Sequence, residues 1–329
     1  MAAQRVFAAK VEGRDPAAEK REAKRRVVAD RVEDLLESFI AQRLSRNRTA
    51  GEIARLLRRE VGKAWSGKSI HEISKRDVVE VISAVEQRGA PVAANKTLKS
   101  IKTFLRWCVG RAVLDQSPAE GVPLPAKEVA RDRVLDDHEL GQVIFAARNI
   151  GGPYGGIVEF LALTGQRREE VARLTWQELD LQRRVWTIPK SRTKNAKAHV
   201  VYLSEQAIDV LKRAHRQGPF VFSLLGTKPF QVFSRAKSLL DQLSGVSGWR
   251  LHDLRRTCVS GMARLGVAPH VADKILNHQS GTISGVAAVY QRHEFLAERQ
   301  AALDLWGTHI GQLLGETSHD RRMDLKIVA

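Results

Sequence analysis

The chain has 329 residues, with 54 Lys and Arg against 37 Asp and Glu, a formal charge of +17. That length fits about two domains, and a 43% apolar content excludes a wholly disordered chain. So large a positive charge seeks a polyanion, with nucleic acid ahead of an anionic membrane surface or a ribosome.

The first 27 residues open with a short helix-like piece and a turn at Gly13-Arg14-Asp15-Pro16. A charged run over 19–26 follows, either a solvated helix face or a basic arm. This stretch is too short for a core of its own. It carries no secretory signal, and no apolar run in the chain approaches the ~18 residues of a membrane span. The expectation is a soluble, cytoplasmic protein. Its two cysteines, Cys108 and Cys258, lie in apolar helical patterns as buried free thiols, too few for a disulfide framework or a CxxC metal site.

Residues 28–118 are predicted to form a helical domain. Val32, Leu35, Leu36, Phe39 and Ile40 recur at helical spacing, Ile53, Leu56 and Leu57 mark a second helix, and further helices are expected over about 75–88 and 92–112. On the last, Lys96, Lys99, Lys102 and Arg106 share one face, either a plain solvated face or a set of phosphate contacts. Pro118, Gly121, Pro123 and Pro125 mark a linker over 119–132. Residues 133–315 form the larger domain, mainly helical, with a helix start at 135–140. Strand-like segments at 184–188 and 199–203 predict a hairpin with a basic loop between them. Residues 316–329 read as a charged tail.

One motif misleads. Residues 62–69, Gly-Lys-Ala-Trp-Ser-Gly-Lys-Ser, match the phosphate-loop pattern of nucleotide hydrolases. That loop requires a buried strand before it and a helix after it. Here the preceding residues have helical periodicity and many charges, so a basic interhelical loop is expected. The ten histidines form no cluster at ligand spacing, and neither a metal nor a cofactor is expected.

Four separated segments share a chemical theme. An apolar helix ends at Gly165, and Arg167 stands at the turn into the next helix, with Glu170 on its face to hold it. The hairpin loop carries Lys190, Lys194 and Lys197. His252 and Arg255 are i and i+3 on a helix that stops near Gly266. Asn277-His278 closes a helix opened by Pro269, and Tyr290 follows in an apolar run. Each signal alone is weak: such a tyrosine is most often a core residue.

Their order resembles the tyrosine recombinase, or phage integrase, family, as do Thr164-Gly165-Gln166-Arg167-Arg168-Glu169-Glu170, Leu276-Asn277-His278 and Ala288-Val289-Tyr290. The resemblance covers about residues 28–310. It implies a mainly α chain, with a helical SAM-like core-binding domain and a mixed α+β catalytic domain with a small sheet. It implies catalytic Arg167, Lys194, His252, Arg255, His278 and Tyr290, with Glu170 behind them. Asn277 departs from the glycine frequent before that histidine. Residues 1–27 resemble the remnant of an arm-binding region. The implied activity is metal-independent cleavage and rejoining of DNA strands through a 3′-phosphotyrosine, integrating or excising a mobile element. The implied partners are double-stranded DNA, a homotetramer on paired sites and accessory DNA-bending or excision factors, in the nucleoid. A C-terminal helix around 301–314 would dock on a neighbour or pack within its own domain. The alternative is a degenerate or truncated recombinase that only binds specific DNA.

Overall fold

The structure is a computed structural model that describes residues 30–44, 49–127, 131–193, 197–278 and 293–327. The chain divides into two compact units, residues 1–130 and 131–329.

The first unit is helical. α1 (Val32–Phe39) and α2 (Ala50–Leu57) each run on into a wider turn, at Ile40–Leu44 and Arg58–Gly62. α3 (Lys75–Gln87) and α4 (Pro91–Val109) follow. α3 starts at Ser74 because Ser74 and Asp77 cap each other reciprocally. α4 opens with Pro91 in its first turn, where a missing N–H costs nothing. It ends three residues earlier than the sequence reading, as the backbone turns at Gly110 and Ala112 takes a positive φ of 54°. The apolar faces meet in one core. Phe39, Leu57, Trp65, Leu98, Phe104 and Cys108 are fully buried there. Each such side chain contributes about 1.5–3 kcal/mol.

The phosphate-loop look-alike is an interhelical turn. Trp65 is buried in the core. The Gly67 N–H, which would face a phosphate in a true loop, donates to the Glu33 carboxylate at 2.6 Å. Lys68 pairs with Asp77 at 2.8 Å, and Ser69 caps a short 3-10 turn, Ile70–Glu72.

The second unit surrounds α6 (Gly152–Thr164), whose residues from Ile157 to Thr164 are all buried. Packed around it are α5 (Asp137–Ile150), α8 (Glu205–Lys212), α10 (Asp253–Arg264) and α12 (Leu296–Ile327). α5 begins where the sequence places a helix start, with Asp136 and Glu139 forming a capping box. α7 (Arg168–Ala172) leads into a three-stranded antiparallel sheet, β1 (Leu179–Asp180), β2 (Val185–Ile188) and β3 (His199–Tyr202), in that order. Trp186 on β2 packs on Phe160 of α6 with ring centroids 5.7 Å apart. β1, absent from the hairpin reading, has only two residues and too little alternation to be recognised. α9 (Phe233–Ser244) and α11 (Pro269–Ile275) complete the unit.

The stretch read as a charged tail from residue 316 continues α12 in a single helix to Ile327. Leu303, Trp306, Ile310 and Leu314 of α12 lie in the core of this same unit, and Trp306 Nε1 donates to the Ala162 carbonyl at 2.9 Å. Gly261 of α10 admits the Trp306 ring, since a Cβ there would sit 2.2 Å from it. Of Leu303, Leu305, Trp306, Ile310 and Leu314, the large apolar residues that could have docked on a neighbour, Leu305 alone is exposed, at 44%. No helix among the described residues is long and apolar enough to cross a membrane.

Candidate active site

Arg167 sits at the N-cap of α7, two residues after the left-handed Gly165 that ends α6. Its Nη1 donates to Glu170 Oε1 at 2.9 Å, and its backbone N–H donates to the other oxygen at 3.1 Å. Glu170 is buried, so it holds the guanidinium in one place while the arginine stays part-exposed.

Arg255, on the first turns of α10, is 5% exposed. Its Nη1 donates to the Gly165 carbonyl at 2.8 Å and its Nη2 to the Leu276 carbonyl at 2.5 Å. Among the described residues no carboxylate pairs with it. Burial and the neighbouring Arg167 push it down to about 10. The site therefore holds two adjacent guanidiniums, one of them without an anion of its own. Such an arrangement is costly unless an anion completes it.

Two imidazoles flank the pair. His252 is the N-cap of α10 and faces solvent, while Asp253 beside it turns inward to Arg256, Arg131 and the Arg250 N–H. His278 follows α11, its Nδ1 3.2 Å from Asp273 Oδ1. Both are lowered below the ordinary 6.5, His252 and His278 alike by partial loss of hydration first and by Arg255 next, with Asp273 partly opposing this at His278. Both shifts favour the neutral ring. Arg167 also acts on both, so the four side chains share one electrostatic neighbourhood. Asn277 has φ +54°. The position requires a left-handed backbone, which glycine and asparagine adopt readily. That accounts for the substitution.

Lys194 and Tyr290 lie outside the described residues. The loop's near end is fixed beside Arg167: Arg192 donates to the Arg173 and Glu170 carbonyls and pairs with Glu178. Thr193 Oγ1 bridges the Lys190 and Lys197 carbonyls at 3.2 and 2.7 Å. The α4 stripe lies in the other unit. Lys96, Lys99 and Arg106 are exposed. Lys96 pairs with Glu52 of α2 at 3.2 Å, and Lys102 Nζ donates to the Val122 carbonyl at 2.6 Å. Among the described residues no group of three His, Cys, Asp or Glu could hold a metal ion.

Sequence reasoning passed over Gln166, His199, Arg192 and Asp273. Gln166 Nε2 and His199 Nε2 each lie 2.9 Å from the Ile275 carbonyl. Gln166, His199 and Arg192 act on backbone from afar, and spacing carries no signal of that.

The fold, with the family matches that follow, defines a member of the tyrosine recombinases. The chain belongs to the phage integrase family. Residues 133–295 match the phage integrase family and residues 28–122 the phage integrase central domain. It is 32% identical over 195 residues to the integrase of Salmonella phage P22, covering 54% of this chain and 49% of that one. It is 24% identical over 266 residues to prophage integrase IntA of Escherichia coli strain K12, covering 78% and 64%. The chain thus spans about half the length of the first relative and under two thirds of the second. Lambda integrase has the same fold at 14% identity. Its dimer on a COC′ core site aligns with a TM-score of 0.64, covering 77% of this chain and 97% of that one. Its tetramer bound to a Holliday junction gives 0.63, covering 77% and 79%.

Proposed function

We propose that this protein is a site-specific recombinase that cuts and rejoins DNA strands through a 3′-phosphotyrosine bond, integrating or excising a mobile element. The observation that carries this reading is the Arg167–Arg255 pair, two fixed guanidiniums close enough to repel each other, one of them with no carboxylate partner among the described residues. A DNA phosphodiester supplies the missing anion. Its two non-bridging oxygens suit planar, forked donors, and the charge that builds up in the pentavalent transition state strengthens both contacts.

Tyr290 is the proposed nucleophile. A phenol of pKa ~10 is weakly nucleophilic at neutral pH. The paired arginines favour its phenolate, and the neutral His252 ring accepts its proton. The new bond joins the tyrosine oxygen to phosphorus, and the 5′-oxygen leaves with a proton from Lys194. His278 binds a phosphate oxygen. With Nδ1 turned to Asp273, its Nε2 becomes a donor once the bound anion raises its affinity for a proton. Attack by a 5′-hydroxyl of a second duplex reverses the chemistry and exchanges strands without ATP.

The α4 stripe, with Lys99 and Arg106 foremost, is proposed to contact the DNA backbone. Lambda integrase forms a tetramer on a Holliday junction, and four copies of this chain on paired duplexes are proposed by that likeness. The protein then works in association with chromosomal DNA, where DNA-bending or excision factors assist it.

The test is a nicked duplex from the attachment site of the element that carries the gene. The wild-type chain traps a covalent adduct there, with or without EDTA. Tyr290→Phe binds the same duplex and forms none. An adduct in Tyr290→Phe, or strict dependence on magnesium, refutes the reading. A wild-type chain that binds but never forms the adduct is the degenerate, binding-only protein instead.

A further inference from the structure

The last carbonyls of a helix have no donor within it and must find one elsewhere. α11 ends at Ile275, three residues before His278. Its terminal carbonyls are met by side chains from three distant parts of the chain. The Ile275 carbonyl receives Gln166 Nε2 and His199 Nε2, both at 2.9 Å. The next carbonyl, of Leu276, receives Arg255. Two donors occupy both lone pairs of the Ile275 oxygen.

The donors come from consequential places. Gln166 lies between Gly165, which accepts from Arg255, and Arg167. His199 opens β3, two residues after Lys197 of the basic loop. Both donors are buried. Burial, with Arg299, Arg255 and Arg167 nearby, holds the His199 ring at about 4, so it is neutral at pH 7. Because a carbonyl only accepts, the proton of that neutral ring is on Nε2. The adjacent Val200 carbonyl accepts from Arg299 of α12. One strand thus ties the helix before residues 279–292 and the helix after them.

We propose that His199 and Gln166 are positioning residues, which place His278 by jointly holding the Ile275 carbonyl and so lock the basic hairpin to the histidine side of the site. The inference rests on the recombinase reading above. Neither side chain touches the reacting phosphate. Their part is to keep His278 in register with Arg167 and Arg255, where a shift of about 1 Å can cost 100-fold in rate.

The experiment measures single-turnover adduct formation on the nicked duplex, and DNA affinity separately. His199→Leu is expected to slow adduct formation by about 10- to 100-fold with affinity unchanged. His199→Gln, whose amide N–H replaces the Nε2 donor, recovers most of the rate. Gln166→Met gives a smaller loss. The double variant His199→Leu/Gln166→Met loses more than the product of the two, because each single variant leaves one donor to restrain the carbonyl in part and the double variant leaves none. Should His199→Leu not fold, the recovery in His199→Gln relative to His199→Ala carries the same comparison. Equal rates for His199→Leu and wild type, a loss confined to DNA affinity, or a His199→Gln as slow as His199→Leu overturns this inference alone. A wild-type chain that forms no adduct overturns the recombinase reading and this inference with it.

Discussion

Replacing Gly165 with alanine strikes both the fold and the site. Gly165 has φ +63° at the C-terminus of α6. An L-residue in that conformation costs about 1–2 kcal/mol. The added Cβ would also lie 3.0 Å from Cys258 Sγ and 3.1 Å from Leu276 Cδ2, both within the core. Overpacking of this kind costs about 1–3 kcal/mol. The sum is roughly 2–5 kcal/mol of stability. The same shift displaces the Gly165 carbonyl, which accepts from Arg255 Nη1, and pushes on Leu276, whose carbonyl holds Nη2. Adduct formation should therefore fall even where the variant is fully folded. Urea unfolding followed by tryptophan fluorescence reports the stability, since Trp176, Trp186, Trp249 and Trp306 all lie in the second unit. Gly165→Ala/Cys258→Ala removes the sulfur contact but keeps the backbone strain, so it should recover part of the loss. A Gly165→Ala chain within about 0.5 kcal/mol of wild type, the ordinary range of an innocuous surface change, would refute this account of the turn.

Two further predictions concern charge. The folded chain holds His199, His252 and His278 below 6.5. As pH falls through 6.5 the unfolded chain takes up protons that the folded one refuses, so stability falls, for the buried His199 by at most about 1.4 kcal/mol per pH unit. The loss from His199 continues until about pH 4, where its folded ring also protonates. Thermal unfolding between pH 6.5 and 5 should show this decline, and His199→Gln should lessen it; an unchanged slope would contradict the burial of a neutral His199. On α4, Lys99→Ala and Arg106→Ala should each weaken DNA binding and lower the salt slope by about 1. Lys102→Ala should do less, because its Nζ is already bonded to the Val122 carbonyl; a larger salt effect from Lys102 than from Arg106 would count against the stripe.

Much of the site was legible because its parts are encoded locally. Gly165 announces the end of α6, Asp136 and Glu139 the start of α5, and Pro269 the start of α11. Their order along the chain, together with the HxxR spacing, pointed to one phosphate. What spacing could not show is how the parts are held. Gln166 reads as a polar residue in a turn and His199 as the first residue of a strand; their shared acceptor is a backbone oxygen many residues away. β1 was missed because two residues carry no period, and α12 was cut short because its charged second half lacks an apolar stripe. The phosphate-loop text failed for a matching reason: the deciding contact, Glu33 on the Gly67 N–H, spans 34 residues and is invisible to a local pattern.

The bonds that seat Arg255 and the end of α11 cross 90, 109 and 76 residues of chain. Contacts of such separation form late, since long loops must close before they are rewarded. Arg255 is seated only when residue 165 and residue 276, 111 positions apart in sequence, are both in place. On the proposed reading, the power to break a strand belongs only to the chain in which these distant segments have met.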